Sequence, residues 1–254
     1  MADRARSSRR AVVASLAAAT VAGQVVYPLV HGSVRDRLTV IVVVLFAATS
    51  VSHAWITRGG RVAVIVLLVT SVPGFAVELL GVHTGYPFGH YGYAGTLGPR
   101  LWGVPLVIAL AWTMFAWPAA LVARRLVRSF TARVVVGAWA LASWDLFLDP
   151  QMVSAGHWRW RSPSPHLLGV GAVPLTDYAG WLLVSALISL VLQAVLHPCG
   201  DADDLWMYGL YLWTWVSSAL ALAMFLDLGA AALWGGVGMG LVAVPLAATI
   251  AGRG

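Results

Sequence analysis

Stretches of about twenty apolar residues follow one another along almost the whole chain, parted only by short groups of Arg, Gly, Pro or acidic residues. A bilayer hydrocarbon core about 30 Å thick takes about 20 helical residues per crossing, because each residue rises about 1.5 Å. That layer holds no water to bond the backbone, so each crossing must satisfy its own N–H and C=O groups as a helix. The runs predict eight spans at about residues 11 to 30, 38 to 56, 62 to 82, 101 to 123, 131 to 149, 178 to 197, 205 to 227 and 229 to 251. Only Asp227, Leu228 and Gly229 part the last two, whose combined run is too long for one crossing, so a tight turn is expected there. The expected fold is all-α, a polytopic membrane bundle forming a single domain over residues 1–254.

Composition excludes a water-soluble reading. Hydrophobic residues make up 60% of the chain and charged residues 10%, against about 45–50% and about 25% in soluble domains. The formal charge of +6 comes from sixteen basic residues, all Arg. In a membrane chain such an excess reports topology rather than nucleic-acid binding. With the N-terminus inside, Arg4, Arg6, Arg9, Arg10, Arg58, Arg61, Arg124, Arg125, Arg128, Arg133 and Arg253 fall on the cytoplasmic side. Arg35, Arg37, Arg100, Arg159 and Arg161 fall opposite, so the positive-inside rule places both termini in the cytoplasm. The first span is read as an uncleaved signal anchor, since its apolar run continues past Ala17-Ala18-Ala19 to about Val30. Cys199 stands alone, so neither an intrachain disulfide nor a thiolate metal cluster is available.

In this topology the two longest loops, 83 to 100 and 150 to 177, share the outer face. Six of the ten acids, Asp3, Asp36, Asp201, Asp203, Asp204 and Asp227, fall in tails or turns where water can solvate them. The other four do not. Glu78 lies within the third span, Asp145 and Asp149 stand one helical turn apart at the end of the fifth, and Asp177 opens the sixth. An ionisable group inside a span is costly unless it faces a partner or cavity, which makes it a functional candidate. The structural alternatives are that Asp149 ends a helix before Pro150, that Asp177 caps one, and that Glu78 pairs with Arg100 or Arg159.

The loops add rings and turn formers, in His-Thr-Gly-Tyr-Pro-Phe-Gly-His-Tyr-Gly-Tyr at 83 to 93 and Gly-His-Trp-Arg-Trp at 156 to 160. An aromatic belt needs few glycines between its rings, so these loops are read as an ordered lid or re-entrant loop. His83, His90, His157 and His166 match no zinc spacing, nor do the acids form a recognised ligand set, so no metal is expected. His53 is read as an interfacial or helix-packing residue.

Several of these segments resemble a known family. Glu78-Leu79-Leu80-Gly81, Thr84-Gly85-Tyr86-Pro87-Phe88-Gly89-His90-Tyr91 with Tyr93, and Trp102-Gly103-Val104-Pro105 resemble the signature stretch of the CruF-type carotenoid hydratases. The likeness continues through Trp144-Asp145, Asp149-Pro150, Gly156-His157-Trp158-Arg159-Trp160 and Val173-Pro174 to Gly180-Trp181, covering about residues 70 to 185. The chain departs from the pattern at Asp177, where a polar amide is expected. The resemblance implies addition of water to the terminal 1,2 double bond of an acyclic carotenoid end group, of lycopene, γ-carotene or C50 type, without a cofactor. It implies catalytic roles for Glu78, Asp145, Asp149 and Asp177. It also implies substrate contacts from Thr84, Tyr86, Phe88, His90, Tyr91, Tyr93, Trp102, Trp144, His157, Trp158 and Trp160. The partners implied are the carotenoid, water and the lipid bilayer, with no nucleic acid, and association with other carotenoid-pathway enzymes is left open.

Hydrating an unactivated alkene requires a carboxyl kept neutral, which costs about 4 kcal/mol at neutral pH. Burial and a neighbouring carboxylate both favour that state. Asp145 or Glu78 is the expected proton donor, with another acid orienting the water and the rings of Tyr91, Tyr93, Trp158 and Trp160 facing the transient cation. Three other readings share some features. A membrane prenyltransferase could use Asp145-x-x-x-Asp149 to hold Mg²⁺ on a diphosphate, but no second acidic motif accompanies it. A carotenoid cyclase would use the same protonation, and a proton-coupled transporter would use buried acids as a relay.

Overall fold

The computed structural model describes residues 2–196 and 204–252, with side chains from Arg10 onward. Cys199, Asp201 and Asp203 lie outside the described residues. Eight α-helices are present among the described residues: α1 (Ala2–Val26), α2 (Gly32–Arg58), α3 (Gly60–Thr84), α4 (Val107–Leu126), α5 (Phe130–Ser154), α6 (Leu175–Val195), α7 (Leu205–Met224) and α8 (Gly229–Ala251). Seven are long and apolar enough to cross a membrane. The remaining helix, α7, is 20 residues long, but Trp206, Tyr208, Tyr211, Trp213, Thr214, Trp215, Ser217 and Ser218 dilute its apolar content. The fold is a polytopic membrane bundle.

Of the boundaries that differ from the sequence reading, two bear on the site, and each has a local reason. The fourth span begins at Val107 rather than near 101, because Arg100–Leu101 (β2) and Val104–Pro105 (β3) form a hairpin. Trp102 and Gly103 turn that hairpin with φ of 49° and 90°. The fifth helix runs through Pro150 to Ser154, so Asp149 does not end it. A span tolerates such a proline where neighbouring elements re-satisfy the freed backbone group.

The helix α4 is the axis of the bundle: 78% of its most apolar stretch is buried, against 22% for α1 at the periphery. Water drives no association between helices within a bilayer, so close packing and polar links must hold them. Ser50 donates to the Met114 carbonyl at 2.8 Å, Thr70 and Thr113 share a hydrogen bond at 2.7 Å, and Gln193 donates to the Ala120 carbonyl at 3.0 Å. These three contacts fasten α2, α3 and α6 to α4. Trp139 donates to the Gly238 carbonyl at 2.8 Å and joins α5 to α8. Exposed Leu68, Val72, Leu187, Leu241 and Val244 give α3, α6 and α8 an apolar outer surface fit for lipid.

At the opposite end from the α2–α3 turn, the two long loops fold onto each other. Tyr91–Tyr93 (β1), from the α3–α4 loop, pairs antiparallel with Trp158–Trp160 (β4), from the α5–α6 loop. His166–Leu167 (β5) and Val170–Pro174 (β6) form a further hairpin leading into α6. These are the two ordered loops expected from their glycines and rings.

Candidate functional site

Glu78, on the last turns of α3, is 5% exposed. Its Oε2 accepts hydrogen bonds from the Tyr91 hydroxyl at 2.5 Å and the Tyr93 hydroxyl at 2.6 Å. Its Oε1 accepts from the Trp112 indole N–H at 3.3 Å. The alternative partners are elsewhere: Arg100 donates to the Tyr93 carbonyl at 3.3 Å, and Arg159 is exposed opposite Gly92. Burial and the neighbouring Glu78 hold the Tyr91 and Tyr93 phenols well above the ordinary tyrosine value, so both remain donors.

The two strands place these tyrosines by their period of two. Tyr91 lies across from Trp160 and Tyr93 across from Trp158, each ring pair 5.5 Å between centroids, while Gly92 and Arg159 face outward. Trp160 is anchored by donation to the Phe88 carbonyl at 2.9 Å. Phe88 in turn packs so closely on α6 that a Cβ on Gly180 would stand 2.6 Å from its ring. Beneath the strands, Trp112 and Trp181 stack at 4.1 Å, with Trp144 edge-on to Trp181 at 6.0 Å.

Asp145 and Asp149 come from α5 and Asp177 from the first turn of α6, and all three are buried. Each offers a carboxylate oxygen, and these lie within 4.8 Å of one another. Both oxygens of Asp145 and one each of Asp149 and Asp177 lack a hydrogen-bond partner among the described residues. Acids that form no ligand set in sequence therefore form one in space, suited to a hard divalent cation or to shared protons. Among the described residues, no histidine belongs to such a group.

A cavity enclosing about 1230 Å³, its open mouth included, gathers Glu78, Asp149 and Asp177 with Phe88, Tyr91, Tyr93, Trp112, Trp144, Trp158, Trp160 and Trp181. Asp145 is wholly buried in the carboxyl group that borders it. Among the described residues, no basic side chain lines the cavity. Thr84, Tyr86, His90, Trp102 and His157 take no part in its wall. Thr84 bonds the Leu80 carbonyl and the Tyr86 N–H, shaping the turn, while Tyr86 and Trp102 are 64% and 69% exposed. His90 is exposed, and buried His157 bonds Thr96 at 2.7 Å. Sequence reasoning missed Trp112, a tryptophan in an apolar run without local distinction, and the polar lining from Gln24, Tyr27, Thr39 and Thr214.

Asp204 also departs from expectation. It is 3% exposed, not solvated, and Arg58 reaches its carboxylate at 2.7 Å, with His53 Nε2 at 3.7 Å. The Trp117 indole donates to His53 Nδ1 at 3.1 Å, so His53 packs α2 against α4.

A family model described as "Carotenoid biosynthesis protein" matches residues 38–247. The chain belongs to this family. Within the carotenoid biosynthesis proteins, a bisanhydrobacterioruberin hydratase from Haloarcula japonica is 31% identical over 200 residues. The alignment covers 68% of this chain and 64% of that relative, so it spans less than two thirds of the relative's length. No solved structure matches the chain.

Proposed function

We propose that this carotenoid biosynthesis protein is a hydratase that adds water across the terminal 1,2 double bond of an acyclic carotenoid end group. The observation that carries the proposal is the junction of four buried carboxyl groups with an aromatic cavity that no basic side chain lines among the described residues. Two carboxylates about 4.8 Å apart repel by roughly 3–4 kcal/mol at an effective dielectric near 20. With no cationic side chain among the described residues of the wall to offset that repulsion, Asp145, Asp149 and Asp177 share protons and act as a unit. That unit is the proton donor. A proton passes from it to the less substituted alkene carbon, leaving a tertiary cation. Water then forms the C–O bond, and its surplus proton returns to the acid group. Glu78 already accepts three donors; its role is to set a negative field and fix the rings of Tyr91, Tyr93 and Trp112 around the cation. Ring faces contribute on the order of 1–2 kcal/mol to a desolvated cation.

The arrangement supports the prenyltransferase reading less well, because holding Mg²⁺ on a diphosphate calls for two separate acidic motifs, and among the described residues the aspartates form a single cluster. A cyclase would share the protonation and differ in what traps the cation. The name of the Haloarcula japonica relative favours water as the trap.

Expression in a lycopene-producing bacterium, followed by pigment analysis, tests the proposal. Hydroxylated pigment is expected from the natural chain and a loss of about 100-fold or more from Glu78→Gln and Asp145→Asn. Undiminished hydroxylated pigment in both variants would refute the acid mechanism. Dependence of the purified activity on added Mg²⁺ would move the three aspartates from proton donor to metal ligand.

A further inference from the structure

The same cavity has a second polar region that the acids do not account for. Its wall also carries Gln24 from α1, Tyr27 from the short 3-10 turn that follows α1 (Tyr27–Leu29), Thr39 from α2, Gln151 from α5 and Thr214 from α7. Tyr27 and Thr214 are 7% and 2% exposed, yet the Tyr27 hydroxyl, the Thr214 hydroxyl and the Gln24 side-chain oxygen have no hydrogen-bond partner among the described residues. The Tyr27 phenol stands beside Thr39 and Gln151 without closing a hydrogen bond to either. Buried polar groups are normally paired, and a hydrocarbon chain offers them nothing.

The missing partner must both donate and accept, because an amide oxygen accepts while phenol and threonine hydroxyls do either. An anion is poorly served, because among the described residues no basic side chain lines the wall and the Arg35 guanidinium, 5.5 Å over the Tyr27 ring, donates to the Val30 carbonyl at 2.7 Å; a cation would find no carboxylate in this group. We infer that Gln24, Tyr27 and Thr214 form a hydroxyl-binding subsite, holding either the water that captures the cation or an alcohol already carried by the substrate. This rests on the hydratase reading and adds to it the residues that orient oxygen rather than those that deliver the proton.

The test uses the full chain purified in detergent, with Tyr27→Phe and Thr214→Val, both close in shape to the natural residues. On a hydrocarbon acyclic carotenoid, the products are the tertiary alcohol and the double-bond isomer formed when the cation returns a proton from its neighbouring carbon. If the subsite holds water, the isomer-to-alcohol ratio rises about tenfold in the variants, the loss of one hydrogen bond. If it holds a substrate alcohol, the ratio of kcat/KM for a hydroxylated over a non-hydroxylated carotenoid falls about tenfold. Both ratios staying within about twofold of the natural chain, whatever happens to the overall rate, overturns the inference and leaves the hydratase reading intact. A natural chain that hydrates neither pigment overturns both.

Discussion

Glu78 and the three aspartates are all buried, but they meet different neighbours. Three donors converge on Glu78, whereas both oxygens of Asp145 have no partner among the described residues. Removing one donor separates the two roles. Tyr93→Phe keeps the ring and deletes one of the two hydroxyls on Oε2, so turnover is expected to fall about tenfold with the melting temperature of the detergent-solubilised protein nearly unchanged. Turnover equal to the natural chain's would remove Tyr93 from the proposed mechanism. At this scale the sequence was informative wherever a residue violates its surroundings. Glu78, Asp145, Asp149 and Asp177 stand out because acids are costly in apolar spans. Trp112 does not stand out, since a tryptophan in an apolar helix violates nothing. Asp204 misleads, because beside Asp201 and Asp203 it looks like part of a wet turn, and its partner Arg58 is distant in sequence.

Elements meet where the loops fold together, and His157 is one of their fastenings. Its carbonyl accepts from Ala94 N–H at 2.8 Å, and its Nδ1 shares a hydrogen bond with Thr96 at 2.7 Å. Burial lowers its pKa below the ordinary histidine value of 6.5. A group whose folded pKa is depressed contributes stability that is full above the unfolded value and lost as pH falls through the folded one. Between pH 7.5 and 5.5 the melting temperature of the natural chain is therefore expected to drop more than that of His157→Gln. Equal drops would remove His157 as the cause. Spans were legible because their apolar runs match the bilayer thickness. The strands were not, because a pair only three residues long draws its stability from a partner loop that sequence periodicity does not identify.

Across the whole molecule, the arginine distribution sets the proposed orientation, with both termini in the cytoplasm and the acid cavity toward the outer face. A C-terminal green fluorescent reporter should light up and an alkaline phosphatase fused at the same point should stay inactive. The reverse pattern would place the cavity at the cytoplasmic face. Such an orientation also sets which aqueous phase supplies the water, since an elongated carotenoid is about as long as the hydrocarbon core and presents its ends near the two interfaces.

Side chains alternate along β1 and β4, so Tyr91, Tyr93, Trp158 and Trp160 look one way and Gly92 and Arg159 the other. Because that alternation has a period of two, inserting or deleting one residue ahead of β4 would reverse its faces. A guanidinium would then swing in among the carboxyl groups as a permanent counter-ion and strip them of the proton they are proposed to donate. Loop length, which a comparison of residue identities does not score, is therefore as strict a requirement of the proposed chemistry as the acids themselves.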